Sequence, residues 1–114
     1  MADKAEMKKW IQTIVEKLND VGRYTAADWG GSVQLIIRDL GTGWLLKFAM
    51  DGTVESCDEK IDEEAATSVL EFDSSDTFIG IQEKTVDGME AFSLGKVKAR
   101  KSMDGLVKVF APLV

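Results

Sequence analysis

The residues that could carry chemistry in this chain are few, and the densest group of them is an acidic run. It comprises Asp58, Glu59, Asp62, Glu63 and Glu64. Clustered carboxylates can hold calcium or act as an acid and base pair, but this run lacks the ligand spacing and the glycine of an EF-hand loop. No neighbouring group in the sequence would raise the pKa of one of its carboxyl groups. We therefore interpret the run as a solvated connection between elements.

Nucleophilic chemistry has little support in the sequence. No histidine occurs among the 114 residues, which excludes Ser-His and Cys-His nucleophiles and every histidine-ligated metal site. The one cysteine, Cys57, lies among acidic residues that raise the pKa of a thiol, so we predict an unreactive, buried or half-buried side chain. The Gly41-Thr42-Gly43 segment lacks the third glycine and the following helix of a phosphate-binding loop. We predict a protein that is not an enzyme, with no catalytic residue, metal or cofactor.

The charge of the chain is negative and uneven. The net charge is −6, but residues 84–114 hold 6 basic and 3 acidic side chains. This C-terminal excess is too small for the dense basic face of a nucleic-acid-binding protein. Nucleic acid is therefore not a predicted partner, whereas a transient contact with anionic lipid headgroups stays open.

The length of the chain predicts a single domain, residues 1–114. The composition of its segments predicts a cytoplasmic location. No apolar run approaches the roughly 20 residues that span a bilayer. The N-terminus lacks the apolar core of a signal peptide, and the C-terminus is not a peroxisomal address. A single cysteine fits a reducing compartment.

Hydrophobic periodicity in the first half predicts a helix followed by three strands. Apolar residues recur at helical spacing over residues 7–18, with Asp3 as the cap and an end near residues 19–22. Alternation predicts strands at 33–38, 44–50 and 53–57, with Asp51-Gly52 as a two-residue hairpin turn. These strands form an antiparallel meander.

The second half predicts one strand, two helices, a further strand and a last helix. A strand at 67–72 leads to a helix that begins near Asp76, and a short helix carrying Met89 and Phe92 ends at Gly95. A strand at 96–100 follows. Ser102 caps the last helix, which Pro112 closes. Its core-facing apolar stripe is Met103, Leu106, Val107 and Phe110.

These elements predict the α+β class, with a five-stranded, largely antiparallel (mixed) sheet and helices packed on one face. The helical segments carry methionine and phenylalanine on their apolar sides. Core packing explains such side chains, and so does a cavity for a variable apolar ligand, because methionine adapts its shape. Periodicity alone leaves both readings open.

One strand face carries three cations, Lys96, Lys98 and Arg100. The face could contact anionic headgroups or a membrane. It could equally be a solvated strand face that discourages edge-to-edge pairing.

The segment Ala91-Phe92-Ser93-Leu94-Gly95-Lys96-Val97-Lys98 is similar to the Ala-Phe-x-x-Gly-Lys-Leu-Lys signature of the sterol carrier protein 2 family. Upstream, residues 69–76 resemble that family's strand leading into an acidic, serine-containing cap. The meander and the terminal helix stand in the same order as in the family. The resemblance covers nearly the whole chain.

The resemblance implies a protein that binds and transfers lipids (fatty acid, acyl-CoA, sterol or an isoprenoid-like ligand) in a hydrophobic tunnel between sheet and helices. The residues that would line the tunnel are Leu18, Phe78, Ile81, Met89, Phe92, Met103, Leu106 and Phe110. The alternative is a non-catalytic interaction or dimerisation module with the same fold and a closed core. Exposure of Trp44 or Ile36 would favour that alternative. Both a monomer and a homodimer are compatible with the sequence.

Overall fold

The computed structural model describes residues 2–114. In chain order they form α1 (Lys4–Thr25), β1 (Ser32–Ile37), β2 (Thr42–Phe48), β3 (Val54–Glu59), β4 (Ser68–Phe72), α2 (Ser75–Glu83), α3 (Gly88–Ser93) and β5 (Val97–Lys101). A helix over residues 104–113, called the C-terminal helix below, completes the chain and contains a π-helical segment, Leu106–Phe110. Among the described residues, no helix combines the length and hydropathy needed to cross a bilayer.

The five strands form one mixed sheet in the order β3-β2-β1-β4-β5. Strands β1, β2 and β3 pair as an antiparallel meander, and β5 pairs antiparallel to β4. Only the central β1–β4 pair is parallel, with Leu35 beside Leu70. The predicted α+β class, strand number and mixed pairing are confirmed.

The main core lies between the sheet and the helices. Asp3 caps α1, as predicted, by accepting a hydrogen bond from the Glu6 backbone N–H at 2.8 Å. The apolar face of α1 and the helix-facing residues of the strands belong to one buried cluster. The Phe78 ring meets the Phe72 ring edge to face, with centroids 4.9 Å apart. The aromatic pair therefore packs α2 against β4 within this core.

The connection from β3 to β4 crosses the other face of the sheet. Gln34, fully buried on β1, donates from Nε2 to the Lys60 carbonyl O and accepts from the Asp62 N–H, both at 2.8 Å. A second buried cluster forms on this face from Ile36, Leu45, Ala66 and Val69. Trp44 and Ile36 are buried, at 3% and 8% exposure, so neither provides the exposed apolar strand face that would favour a dimerisation module.

The acidic run is only partly the connection that the sequence predicted. Asp58 and Glu59 belong to β3, because pairing with Leu45 and Trp44 extends that strand two residues beyond Cys57. The remaining acids lie on the crossing connection.

The predicted end of α1 near residues 19–22 is wrong, since the helix continues to Thr25. Gly22 is buried inside the helix, where a Cβ atom would lie 2.0 Å from the Gly52 carbonyl O. The glycine therefore permits close packing of α1 on the β2–β3 turn. That turn also differs from the prediction, because the Ala49 N–H donates to the Thr53 carbonyl O and leaves three residues in the loop.

The last helix is not the regular α-helix that the apolar stripe predicted. The Ala111 N–H donates to the Leu106 carbonyl O, five residues back, which is the π-helical pattern. Met103 precedes the helix, and Val107 lies within this wider turn. Val109, Phe110 and Leu113 are buried, whereas Met103 and Val107 are 60% and 62% exposed. Pro112 lies within the final helical turn and does not close the helix before residue 113.

Candidate functional site

An apolar groove of about 240 Å³ lies between α3 and the C-terminal helix. Its walls are the side chains of Met89, Phe92, Leu106, Val107, Phe110 and Ala111. All six are apolar, so the groove has no group that could act as an acid, base or nucleophile. Its chemistry is that of a surface for an apolar ligand.

The α3 wall of the groove is positioned by a cap and a buried alanine. Asp87 caps this short helix by accepting a hydrogen bond from the Glu90 N–H at 3.0 Å. Ala91 is buried in the core, and Phe92, the next residue, is half-buried against the groove. Gly95 follows the helix with φ +77°, a left-handed conformation that glycine adopts without steric cost. The predicted helix stop at this glycine is confirmed.

The opposite wall is held by a hydroxyl on the sheet. Ser68 Oγ donates to the Ser102 carbonyl O and accepts from the Gly105 N–H, both at 2.9 Å. The predicted capping side chain, Ser102, accepts from the Asp104 N–H at 3.0 Å. These contacts fix the start of the C-terminal helix on β4, and the π-helical segment then presents Leu106 and Val107 to the groove.

The inner wall of the groove is continuous with the core. The Phe110 ring lies 6.5 Å from the Phe92 ring and 6.3 Å from the Phe72 ring, between centroids. Phe110 is 2% exposed. Phe110 therefore lies between the groove and the buried residues that pack between the helices and the sheet.

The structure brings four of the eight predicted lining residues together at this groove: Met89, Phe92, Leu106 and Phe110. Leu18, Phe78 and Ile81 are fully buried in the core instead. Met103 lies outside the groove and is exposed. Sequence reasoning missed Val107 and Ala111 as lining residues. The apolar stripe already contained Val107. Ala111 follows Val107 by four residues, so it lies one helical turn further on the same face.

The predicted cationic strand face is partly neutralised within the chain. Arg100 donates to Glu63 Oε1 at 2.6 Å and to Glu71 Oε1 at 2.9 Å, and the two carboxylates raise the pKa of Arg100. Arg38 approaches the second oxygen of Glu71 at 3.5 Å. Lys96 and Lys98 are exposed. Among residues 2–114, Lys96 and Lys98 form no ion pair, so of the three predicted headgroup contacts these two keep an unpaired charge.

A second groove, of about 490 Å³, lies between α1 and strands β2 and β3. Ile11, Val15, Trp44 and Cys57 contribute its apolar lining, and an ion pair between Lys8 and Glu59 at 3.4 Å lies at the same site. Burial, and then the charge of Asp58, raise the pKa of the Cys57 thiol. Cys57 is half-buried, within the range predicted, and its low reactivity stays a prediction.

We expect iodoacetamide to alkylate Cys57 several-fold more slowly in the folded chain than in urea at pH 8, because the thiolate is the nucleophile and a raised pKa lowers its fraction. Mass spectrometry over pH 7–10 measures the rate. In the curve of alkylation rate against pH, restricted access to the thiol lowers the plateau. A raised pKa of the thiol instead shifts the midpoint to higher pH. A folded-state midpoint equal to that of the unfolded chain would contradict this prediction.

No protein-family model matches the sequence, and no curated protein matches it. Solved structures do resemble the chain. The crystal structure of sterol carrier protein 2 like 2 from Aedes aegypti superposes with a TM-score of 0.74 at 16% identity, covering 97% of this chain and 98% of that one. The palmitated form of that protein in solution gives a TM-score of 0.64 at 18% identity, with coverages of 90% and 93%.

A double mutant of a sec-alkyl sulfatase is also similar, with a TM-score of 0.73 at 16% identity. The match covers 91% of this chain but only 16% of the sulfatase chain, so the chain spans a small part of that enzyme's length. Together, these similarities show that the chain has a sterol-carrier-like fold, and the resemblance identified in the sequence is confirmed at that level.

Proposed function

We propose that this chain binds a lipid by accommodating one apolar chain in the groove between α3 and the C-terminal helix, and carries it between membranes. The observation that supports this most directly is a groove with six apolar walls, placed against the core of a sterol-carrier-like fold. The palmitated Aedes aegypti protein has a similar fold. Within the proposal, residues 1–114 act as one non-catalytic binding domain, and its cytoplasmic location stays a prediction.

The energetics favour a flexible apolar chain as the occupant. Each methylene removed from water contributes about 0.8 kcal/mol before the costs of association are subtracted. Met89 and Val107 at the rim are 61% and 62% exposed, and a bound chain would cover them. The methionine side chain adapts to ligands of different shape. Release at a membrane needs no chemical step, since the bilayer offers the same apolar environment.

Phe92→Asp should abolish binding of a fluorescent fatty acid, because it places a charge in the apolar groove, where a charged group without a partner is strongly unfavourable. Leu94→Asp is the matched control, since Leu94 is exposed at the end of the same helix and does not line the groove. We expect the control to bind like the parent chain. Circular dichroism establishes that both variants fold. Unchanged binding by folded Phe92→Asp would contradict the proposed site.

Native mass spectrometry on freshly purified protein distinguishes the carrier from the interaction module. The carrier predicts a co-purified lipid mass in the parent chain and in Leu94→Asp, and the loss of that mass in Phe92→Asp. A clean dimer without any adduct in all three proteins would instead support the module with a closed core.

A further inference from the structure

A second, polar cleft adjoins the apolar groove at the side chain of Met89. This cleft has a volume of about 550 Å³ and lies around the loop between α2 and α3. Met89 lines both the groove and the cleft. A ligand whose apolar chain lies beside Phe92 would therefore reach the cleft with its polar end by passing Met89.

The charged side chains of the cleft are Lys84, Asp87 and Glu90, which together carry one net negative charge. The Lys84 ammonium donates to the Leu113 carbonyl O at 3.4 Å. One oxygen of Asp87 caps α3. Glu90 is exposed, and its carboxylate pairs with no side chain of the described residues. Glu90 and the second oxygen of Asp87 are therefore open to a ligand, and the cleft has one carboxylate more than its single ammonium.

We propose that this cleft holds the polar end of the bound lipid and selects a headgroup that carries a positive charge, an amine or a quaternary ammonium. The inference rests on the proposed function, since it places the apolar chain of the same ligand in the groove. An ammonium beside Glu90 and Asp87 neutralises the excess charge of the cleft. A carboxylate or phosphate alone would instead lie against two carboxylates with one lysine to offset them.

The binding of three single-chain lipids with the same 12-carbon chain tests the proposal. Dodecyltrimethylammonium is cationic, dodecylphosphocholine is zwitterionic, and dodecanoate is anionic. Isothermal titration below the micelle-forming concentration measures each affinity. We expect the two ammonium lipids to bind about fivefold or more tighter than dodecanoate at low salt, with a smaller difference at high salt. The ratio of the affinities for dodecyltrimethylammonium and dodecylphosphocholine shows whether the cleft prefers a cationic or a zwitterionic headgroup.

Glu90→Gln should lower the affinity for both ammonium lipids by about two- to fivefold, the range expected for a partly exposed ion pair. It should not lower the affinity for dodecanoate. The α3 cap is unaffected because Asp87 binds the backbone N–H of residue 90 and not its side chain. Glu83→Gln is the matched control, since it removes the same charge from an exposed neighbour that does not line the cleft. We expect Glu83→Gln to leave the affinities for all three lipids unchanged.

The outcomes separate this inference from the proposed function. Equal affinities for the three lipids, or equal effects of Glu90→Gln and Glu83→Gln, would overturn the headgroup inference even if Phe92→Asp still abolished binding. If folded Phe92→Asp still bound all three lipids as the parent chain does, both the headgroup inference and the proposed function would be overturned.

Discussion

Gly22→Ala is expected to lower the free energy of unfolding by about 3 kcal/mol and the melting temperature by roughly 10 °C. The added Cβ atom would lie 2.0 Å from the carbonyl O of Gly52 and 3.1 Å from its carbonyl carbon. Both contacts are with backbone, so no side-chain rotation can relieve them. The helix must move away from the β2–β3 turn. That movement would also strain the hydrogen bond from the Val54 N–H to Asn19 Oδ1, now 2.8 Å long.

Two further glycine variants separate this steric clash from backbone strain. Gly41 has φ +60°, and a Cβ atom there would meet no described atom within 4 Å, so Gly41→Ala should cost only the 1–2 kcal/mol typical of a left-handed residue. Gly52 combines φ +92° with a Cβ position 2.1 Å from the Gly22 carbonyl O, so Gly52→Ala should cost the most. Urea unfolding of the three variants gives the order. A smaller loss for Gly22→Ala than for Gly41→Ala would show that the helix and the turn are not tightly packed.

The same glycine explains why one helix boundary could not be predicted from the sequence. Glycine commonly follows the last turn of a helix, so Gly22 indicated an end. Its actual role depends on Gly52, thirty residues away in the chain, and no local pattern contains that contact. By contrast, the cap at Asp3 and the stop at Gly95 were predictable because both depend on residues within one helical turn.

The sheet was predictable for similar reasons, and its covered second face was not. Alternation of apolar and polar residues identifies strands, and the order of elements identified the fold. The connection that crosses the second face is held by buried Gln34, which hydrogen-bonds Lys60 and Asp62. A single glutamine in a strand carries no sequence signal for that role. The acidic residues of this connection were predicted to be solvated, although the connection contributes Ala66 to a buried cluster with Ile36, Leu45 and Val69.

Four of the six groove residues were predicted from the sequence, namely Met89, Phe92, Leu106 and Phe110, whereas the position of Val107 depended on helix geometry. A regular α-helix would turn residues 103, 106, 107 and 110 to one side. The π-helical segment instead directs Phe110 inward and leaves Val107 at the groove rim. Periodicity assumes the α-helical repeat, so it cannot find a change of repeat within one turn.

Phe110→Ala is expected to cost about 3–5 kcal/mol of stability and at the same time to favour longer ligands. Phe110 separates the groove from the Phe72 ring, so its truncation would open the groove toward the core. A longer apolar chain could then bury two or more additional methylenes at about 0.8 kcal/mol each. We therefore expect the preference for a 16-carbon over a 12-carbon fatty acid to increase about tenfold relative to the parent chain.

Phe78→Ala is the matched control for this change of chain-length preference. Phe78 is also fully buried and packs on Phe72, but it does not line the groove. Both variants should lose similar stability, measured by urea unfolding, while only Phe110→Ala should change the ratio of the two affinities. Equal ratios in the two variants would mean that a cavity at Phe110 does not join the groove. In that case, the bound chain would be confined to the surface between α3 and the C-terminal helix, and the filled core would take no part in binding.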